Sequence, residues 1–378
     1  MLAVVALLWM GVWLGLALSA AYRARAIPFL SPVSRPAFSG EGVSIVIPAR
    51  NEAADLEAAL RSWMEQTHRQ LHIIVVNDGS DDDTGKIADR LALEDSRISV
   101  IHDPPLPAGW LGKTNAMAVG SRLVDDPWLI FADADIVFHP MMVETALATV
   151  DARSLDGLSH MPKLIARSWS EAAILVLVGP IGFFALRPDT ANRPEPGGGF
   201  AAGAFIMLRT QRYRDIGGHE QIKDQVIDDV EMGRLVKREG LSFQVFLAPE
   251  MGSVRMYHGL RSLVRGLVKN ISFVAGGVRG NPIRAPLVAL ALALFLNAPL
   301  LLLLTAAVNG DAIWLPLTAF VLPAVITLGA KRTAEFDFIW TFLYPFAAWI
   351  LPAATVIASY YRLRRGTVLW RAREVKIR

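Results

Sequence analysis

The long uncharged runs at the two ends of the chain constrain its fold more than any other feature. Residues 2–21 form an apolar run of 20 residues without a charge, which is the length needed to cross a bilayer. Arg23 and Arg25 follow this run, so segment 1–25 is predicted to be an uncleaved anchor in a plasma or inner membrane. A cleaved signal peptide, which carries its positive charge before the apolar run, is the alternative. The positive-inside rule places the N-terminus outside and the next block in the cytoplasm.

Three more apolar stretches lie within residues 286–361. They cover 286–308, 313–330 and 338–360, and each is a candidate transmembrane helix. Three crossings after a cytoplasmic block would leave the basic tail, 362–378, outside, against the positive-inside rule. Several prolines interrupt the stretches: Pro316, Pro323, Pro345 and Pro352. A broken or re-entrant segment would remove the conflict, and the number of crossings stays open.

The block between the apolar ends, about residues 42–254, has the composition of a soluble domain. The whole chain of 378 residues is 53% apolar and 19% charged, which excludes a disordered protein. Its net charge of +3 is too balanced for a general nucleic-acid binder. The chain has no cysteine, which excludes disulfides, cysteine-ligated zinc and cysteine nucleophiles.

Short buried strands alternate with amphipathic helices in the first half of this block. The predicted strands are 43–47, 71–76, 97–102 and 128–132, and the predicted helices between them are 54–66, 84–93 and 115–123. This alternation indicates an α/β domain with a mostly parallel sheet. Ligands of such domains bind outside the carboxyl ends of the strands.

Polar and acidic residues follow three of these predicted strands. The segments are PARNE at 48–52, NDGS at 77–80 and DAD at 133–135. Two carboxylates two residues apart suit Mg²⁺ or Mn²⁺ with positions left open for phosphate oxygens, and a solvated loop is the alternative. Asp78 is a candidate for hydrogen bonding to a base or ribose, or an ordinary turn residue.

Three further features occur outside these strand ends. Lys113 stands near a predicted helix start and could neutralise a phosphate, or it could be an exposed lysine. The glycine-dense segment 197–220 either lets the backbone approach a ligand or forms mobile loops. Asp228 and Asp229 open a predicted helix. The helix dipole favours acidic side chains at this position, or the pair supplies a general base for an acceptor hydroxyl.

The order of these motifs resembles that of the family-2 glycosyltransferases of the GT-A fold. PARNE, NDGS, GWLGKTNA, DAD, the glycine-rich loop and DDVE extend over about residues 42–240. The membrane layout is similar to that of ceramide glucosyltransferases and hopanoid-associated glycosyltransferases. The resemblance implies metal-dependent transfer from a nucleotide-sugar, most often a UDP-sugar, by single displacement with inversion at the anomeric carbon.

The resemblance also implies roles for individual residues. The donor nucleotide-sugar would contact Pro48, Ala49, Arg50, Glu52, Asp78, Lys113 and Asp133. Asp133 and Asp135 would form the metal motif, with Asp135 as the direct ligand of Mg²⁺ or Mn²⁺. Asp229 would be the catalytic base, although this chain has Asp228 where the family has a glutamate before it.

The segment 255–284 has two interpretations. Many membrane members of the family carry a Q/R-x-x-R-W motif here, but Arg261 and Arg265 are four residues apart and Gly266 replaces the tryptophan. The apolar residues of 260–271 repeat on one helical face with the arginines beside it. This pattern predicts a basic amphipathic helix in the surface of an anionic membrane, and a clamp for the donor phosphates is the alternative.

The sequence therefore predicts a membrane-bound glycosyltransferase that moves a sugar to the hydroxyl of a lipid acceptor. The short apolar segment 172–186 is predicted to be a buried helix or an interfacial dip beside the acceptor path. A processive polysaccharide synthase is one alternative, which the few spans and the altered arginine motif disfavour. A catalytically inactive membrane scaffold with a nucleotide-binding domain is another, which the acids at the strand ends disfavour.

Overall fold

The structure is a computed structural model that describes residues 2–33, 40–193, 195, 197–273, 281–370 and 373–376. The chain divides into two compact units. The α/β unit comprises Arg25–Leu164 and Leu186–Met256. The helical unit comprises Met1–Ala24, Ile165–Ala185 and Tyr257–Arg378.

Helices and strands are numbered in chain order. The helices are α1 Leu2–Ala24, α2 Leu56–Met64, α3 Thr84–Glu94, α4 Gly112–Ser121, α5 Met142–Ala152, α6 Trp169–Leu186, α7 Thr210–Asp215, α8 Asp228–Arg238, α9 Gly259–Phe273, α10 Arg284–Asn309, α11 Trp314–Thr327, α12 Tyr344–Ala347 and α13 Ile350–Arg365. The strands are β1 Val43–Ala49, β2 Leu71–Asn77, β3 Ile98–His102, β4 Trp128–Phe131, β5 Ile136–Phe138, β6 Gly157–Met161, β7 Lys163–Ile165, β8 Ile206–Arg209, β9 Phe243–Leu247, β10 Gly252–Val254, β11 Ala334–Glu335, β12 Thr367–Trp370 and β13 Arg373–Lys376.

A seven-stranded sheet forms the centre of the α/β unit, in the order β3-β2-β1-β4-β8-β6-β9. The first four strands of this order are parallel to one another. β8 is antiparallel to both of its neighbours, and β6 and β9 are parallel. The predicted α/β class with a mostly parallel sheet is therefore confirmed. The strands β5 and β7 flank β10 in a second, smaller layer.

The core of the α/β unit follows from the hydrophobic period of its elements. β1 is buried along almost its whole length, as a strand covered on both faces must be. On α2, Leu56, Leu60 and Trp63 share one buried face, which is the period of an amphipathic helix. The ring of Trp63 lies 4.4 Å from that of Phe138, so α2 covers the sheet where β5 begins the second layer.

β1 is longer than the sequence predicts, because Pro48 and Ala49 still pair with Val76 and Asn77 of β2. The strand continues through Pro48 to Ala49, whereas β4 pairs only with residues 43–46 of it. A proline has no N–H to donate, and it is tolerated where one side of the strand has no partner. The carboxyl end of β1 is therefore open on that side.

Three helices of the structure are long and apolar enough to cross a membrane. They span Ala3–Ala24, Arg284–Asn309 and Trp314–Arg332, in agreement with the predicted runs 2–21, 286–308 and 313–330. The fourth run is broken, since Phe338–Ala347 and Ile350–Arg365 meet at a bend of 48°. The bend thus lies within a stretch for which the sequence predicts a broken or re-entrant segment.

The predicted amphipathic helix forms as α9, and part of its apolar face packs within the helical unit. Leu263, Leu267 and Val268 are buried in the core of the helical unit, and α9 contacts α13. Protein thus covers these three side chains, whereas Leu260 of the same face is 43% exposed. Arg261 and Arg265 are exposed. The predicted interfacial segment continues into residues 274–280, which lie outside the described residues.

Apart from Leu186, two other predicted segments, 172–186 and the basic tail 362–378, belong to the helical unit. Within α6, Ala173, Val176 and Leu177 are buried in the core of this unit, which agrees with the buried-helix alternative for 172–186. The predicted basic tail begins in the last turn of α13 and continues as the antiparallel pair β12 and β13. Residues 371–372 and 377–378 of the tail lie outside the described residues.

Candidate active site

The loops that follow β1 and β2 are joined into one polar rim at the carboxyl edge of the sheet. The N–H of Asp78 donates to the carbonyl of Ala49 over 2.9 Å. The guanidinium of Arg50 donates to the carbonyl of Asp78. The N–H of Glu52 donates to Thr84 Oγ1 over 2.7 Å. Ala49, Arg50 and Asp78 are thus in direct contact, and Asp78 is buried. Glu52 is joined instead to Thr84 at the start of α3.

Asn51 connects this rim further, although the sequence analysis assigned it no role. Its N–H donates to Ser80 Oγ over 3.1 Å, and its side-chain oxygen accepts from the N–H of Asp81 over 2.8 Å. Its φ of 54° lies in the left-handed region, which asparagine tolerates better than most residues. The sequence signal for this role is the asparagine itself, placed directly after a strand.

Four charged side chains from three separate elements form a compact group, here called the Lys113 cluster: Lys113, Asp133, Asp228 and Asp229. Lys113 Nζ lies 2.7 Å from Asp133 Oδ1 and 3.4 Å from Asp228 Oδ2. Lys113 belongs to the first turn of α4, Asp133 follows β4, and the aspartate pair opens α8. The carboxyl edge of the sheet therefore assembles residues that are up to 116 positions apart in the sequence.

The charges of the cluster shift one another's proton affinity. Burial disfavours the charged form of Lys113, but the carboxylates of Asp133, Asp228 and Asp229 outweigh this effect and raise the pKa of Lys113 well above its usual value. Burial and the adjacent charge of Asp228 raise the pKa of Asp229, against the opposing influence of Lys113. A carboxylate with a raised pKa is a better proton acceptor, and such shifts are common at catalytic sites.

Backbone from the glycine-rich segment closes one side of the cluster. The N–H of Gly203 donates to Asp229 Oδ2 over 2.9 Å. A methyl group on Gly203 would lie 3.1 Å from Asp133 Oδ2 and 3.4 Å from Lys113 Nζ. On α8, a methyl group on Gly233 would lie 2.2 Å from the carbonyl carbon of Phe200. The glycines therefore let the loop backbone approach both the carboxylates and α8.

The start of α4, which carries Lys113, is held by a distant segment that the sequence analysis did not assign. The carbonyl of Lys223 accepts hydrogen bonds from the N–H of Leu111 over 2.9 Å and from Thr114 Oγ1 over 2.7 Å. These contacts explain why α4 begins at Gly112 rather than at the predicted residue 115. Lys223 contacts α4 only in the folded chain, so no local sequence pattern predicted this role.

His219 supports the same region as a neutral side chain. It is buried, its Nδ1 lies 2.9 Å from the hydroxyl of Tyr213, and its ring meets Phe131 edge-on at 4.5 Å. Burial, with a contribution from the charge of Lys113, lowers the pKa of His219 to about 3. The residue therefore packs behind the lysine and stays uncharged at neutral pH.

The donor set around the DAD segment fits a divalent ion that is shared with a phosphate ligand. Asp135 is partly exposed two residues beyond Asp133. Among the described residues, no group of three or more histidine or acidic side chains is arranged to hold a metal ion. Mg²⁺ commonly takes one or two carboxylates and completes its shell with water and substrate phosphates. Asp133 and Asp135 match that chemistry.

Two surface clefts lie elsewhere on the α/β unit. Their volumes are about 260 and 460 Å³, and Asp126 lines both. Arg209, Thr210 and Gln211 line the first, and Gln70 and His72 line the second. These residues flank the amino-terminal edge of the parallel strands, so the clefts are separate from the Lys113 cluster.

Comparison with known families decides what this domain is. The family model described as Glycosyl transferase family 2 matches residues 44–209. Residues 44–209 form a family-2 glycosyltransferase domain. The matched part of this glycosyltransferase domain extends from β1 to β8 and includes Asp78, Lys113, Asp133 and Asp135, while Asp229 follows it in the chain.

Curated relatives carry names of the same class. Two 4,4'-diaponeurosporenoate glycosyltransferases, of Staphylococcus aureus strains USA300 and NCTC 8325 / PS 47, are each 26% identical over 249 residues. The counterpart of strain MRSA252 is 27% identical over 252 residues. Each match covers 64% of this chain and 64% of the relative. The chain thus spans a little less than two thirds of the length of these relatives.

A solved structure shares the fold over nearly the whole chain. It is the mannosyltransferase PcManGT from Pyrobaculum calidifontis in complex with GDP-Man and Mn²⁺. The TM-score is 0.52 at 16% sequence identity, with 96% of this chain and 98% of that chain covered. The expected GT-A fold of the glycosyltransferase domain is therefore confirmed.

Proposed function

We propose that this chain is a membrane-bound, inverting glycosyltransferase that moves a sugar from a nucleotide-sugar to the hydroxyl of a lipid. The Lys113 cluster is the observation that carries the proposal. It places a carboxylate of raised pKa, Asp229, beside the DAD segment at the carboxyl edge of a family-2 glycosyltransferase sheet. A proton acceptor and a candidate phosphate site are the two components that sugar transfer needs.

The donor site of the proposal is the polar rim together with the DAD segment. Arg50, Glu52 and Asp78 would contact the nucleoside, and Lys113 would approach the diphosphate as a positive charge. Asp133 and Asp135 would hold Mg²⁺ or Mn²⁺, which when bound neutralises charge on the leaving diphosphate. PcManGT, which has the same fold, holds GDP-Man and Mn²⁺. A UDP-sugar is the proposed donor.

Asp229 is the proposed general base. The acceptor hydroxyl oxygen forms a bond to the anomeric carbon while the bond from that carbon to the diphosphate oxygen breaks. Asp229 takes the hydroxyl proton, and the nucleoside diphosphate leaves with the bonding electron pair. The N–H of Gly203, which donates to Asp229 Oδ2 over 2.9 Å, fixes the orientation of the carboxylate during this step.

The lipid acceptor is proposed from the helical unit. Within the described part of the chain, three helices are long and apolar enough to cross a membrane, and a water-soluble acceptor would not need them. The curated relatives are named for 4,4'-diaponeurosporenoate. Arg23 lies in the last turn of the first of these helices and Arg25 follows it, so the positive-inside rule assigns the glycosyltransferase domain to the cytoplasmic side.

The test uses the full-length protein in membranes, incubated with a panel of radiolabelled UDP- and GDP-sugars. We expect label from one donor to enter the organic-solvent extract, to depend on Mg²⁺ or Mn²⁺, and to be lost with chelator. In Asp229→Asn, transfer should fall by about 10²–10⁴-fold, since a general base contributes that much, while nucleotide binding persists.

Asp151→Asn is the matched control, because Asp151 is exposed on α5 and the same chemical change there should leave transfer intact. Transfer at the wild-type rate in Asp229→Asn removes Asp229 from the mechanism. Absence of label in the organic phase with every donor overturns the lipid acceptor. Products of many sugar units would instead identify a processive synthase.

A further inference from the structure

The chain passes from β10 to α9 without crossing a membrane, because the residues between them are too few. β10 ends at Val254 and α9 begins at Gly259, which is far shorter than a membrane span. α9 itself carries Arg261 and Arg265 on an exposed face, and a charge at the bilayer centre is costly. The helix therefore marks the membrane side of the glycosyltransferase domain.

The broken segment 338–365 reaches the middle of α10. Asn297, about halfway along this helix, donates through Nδ2 to the carbonyl of Pro345 over 3.1 Å. The ring of Tyr344 lies 5.9 Å from that of Phe320, which is about halfway along α11. The break in the segment thus lies near the centre of two helices that are long enough to cross.

α12 and α13 both contact α10. The buried residues of α10 are spread along the helix from Ala285 to Ala306, and exposed residues alternate with them in both halves. The contacts of Tyr344 and Pro345, rather than burial along α10, therefore locate the break.

The end of α13 returns to α9. β12 starts at Thr367, directly after α13, and it contacts both α13 and α9. Residues 350–361, which precede the arginines of α13, extend roughly 18 Å at about 1.5 Å per residue. That length is less than the hydrocarbon thickness of about 30 Å. Arg364 and Arg365, exposed at the end of α13, therefore lie on the side that α9 marks.

We infer that residues 338–365 enter the membrane and leave it on the side they entered, so that Arg261, Arg265, Arg364 and Arg365 form one basic surface against anionic lipid headgroups. This arrangement leaves three crossings. It also puts Arg284, at the start of α10, on the same side, as the positive-inside rule requires. Anionic headgroups are the matching partner, because clustered arginines beside membrane helices attract them. The inference does not depend on the proposed sugar transfer.

The absence of cysteine from the sequence allows the sidedness to be measured with single-cysteine variants. Arg364→Cys reports the end of α13, and Asp311→Cys reports the exposed joint between α10 and α11. Lys86→Cys, on α3 with a side chain that is 84% exposed, marks the side of the α/β unit. Sealed vesicles of both orientations are treated with a membrane-impermeant maleimide.

We expect Arg364→Cys and Lys86→Cys to react in the same vesicles and Asp311→Cys in vesicles of the opposite orientation. Reaction of Arg364→Cys together with Asp311→Cys shows that the segment crosses, and it overturns the inference. Reaction of all three from one side overturns it as well, because α10 and α11 would then not span. Each variant is first checked for an unchanged gel-filtration profile in detergent.

The headgroup partner is tested by native mass spectrometry of the purified protein with added phosphatidylglycerol or phosphatidylcholine. The wild type should retain phosphatidylglycerol preferentially. Arg261→Gln with Arg265→Gln, and separately Arg364→Gln with Arg365→Gln, should weaken retention by about fivefold per arginine. Lys86→Gln with Arg90→Gln, a pair on exposed α3, is the control. Equal retention of the two lipids, or by all variants, overturns the basic surface.

Discussion

The two edges of the main sheet both carry acidic side chains, but in different surroundings. At the amino-terminal edge, Asp126 Oδ2 accepts a hydrogen bond from Ser44 Oγ over 2.6 Å and lies 2.6 Å from His72 Nδ1. A single carboxylate there meets several polar partners, so its hydrogen-bonding capacity is used within the fold. This arrangement joins the starts of β1, β2 and β4.

At the carboxyl edge the ratio of carboxylates to polar partners is reversed, because three carboxylates share the single ammonium group of the Lys113 cluster. Lys113 Nζ lies 2.7 Å from one of them, Asp133, and the pKa of Asp229 is raised. Charge that the fold itself does not neutralise is available to a substrate or an ion. The number of hydrogen-bonding and charged partners for each carboxylate, rather than the presence of aspartates, therefore distinguishes the candidate site from a structural contact.

Removing the cation of the carboxyl edge should have the largest effect. Lys113→Met leaves the three carboxylates without their shared positive charge, so we expect transfer to fall by about 10²–10³-fold, the loss typical of removing one preorganised electrostatic partner. Lys86→Met on exposed α3 is the control. Initial rates of label transfer measure the effect, and a rate within twofold of wild type would separate Lys113 from the reaction.

Crowding the same edge without changing a charge should have the next largest effect. The Cβ of Gly203→Ala would lie 3.1 Å from Asp133 Oδ2 and 3.3 Å from Asp229 Oδ2, so the carboxylates must shift. A misplacement of about 1 Å reduces rates by about 10²-fold, so a shift of a few tenths of an ångström should reduce transfer by less than that. Gly329→Ala, which meets nothing within 4 Å, is the control. A fully active Gly203→Ala would show that this close approach is not needed.

The matching change at the amino-terminal edge should affect stability and not transfer. Asp126→Asn weakens the contacts with Ser44 and His72, and we expect the free energy of unfolding of the α/β unit to fall by about 1–2 kcal/mol. Urea unfolding followed by tryptophan fluorescence measures the change. A large loss of transfer per folded molecule in this variant would contradict the distinction between the two edges.

The pH dependence should show the smallest effect and sharpen the role of Asp229. Only the deprotonated carboxylate accepts a proton, and its pKa is raised from 3.8, so the acid limb of the rate profile should lie above pH 3.8. Because Lys113 lowers the pKa of Asp229, Lys113→Met should move that limb to higher pH. A limb at or below pH 3.8 in the wild type would contradict the assignment.

The same shifts predict that the free energy of unfolding declines with rising pH in two separate ranges. The raised pKa of Asp229 favours its protonated form in the folded state, so its contribution to stability declines as pH rises from 3.8 through the folded pKa. The raised pKa of Lys113 favours its charged form, so that contribution is complete below pH 10.5 and declines as pH rises through the folded value. Urea midpoints across pH measure both.

Much of the first half of the fold was predictable, because its pattern is local. The strand run 43–47 became part of β1, and the helix predicted at 84–93 is α3, Thr84–Glu94. The antiparallel β8 was not predicted, although its strand chemistry is ordinary. Its direction depends on which strands it pairs with, and those partners are distant in the sequence.

The candidate site was predictable as a set of residues but not as an arrangement. The sequence predicted roles for Lys113, Asp133 and Asp229 separately, each with its own alternative. Their contacts depend on the close approach of the Gly203 backbone and on the carbonyl of Lys223. Both contacts join segments that no local period connects. The apolar face of α9 was predictable because its residues repeat at the helical period. The protein segments that pack against it were not, because they are distant in the sequence.

The sequence by itself determined where apolar runs long enough for a membrane lie, and which strands end in acidic residues. Hydrophobic period and run length are properties of neighbouring residues, so they act before the chain is folded. Only the tertiary structure decided that three carboxylates would share one lysine and that α9 would pack against α13. Those outcomes depend on packing between distant segments, where a glycine without a side chain or a single carbonyl decides which groups come within hydrogen-bonding distance.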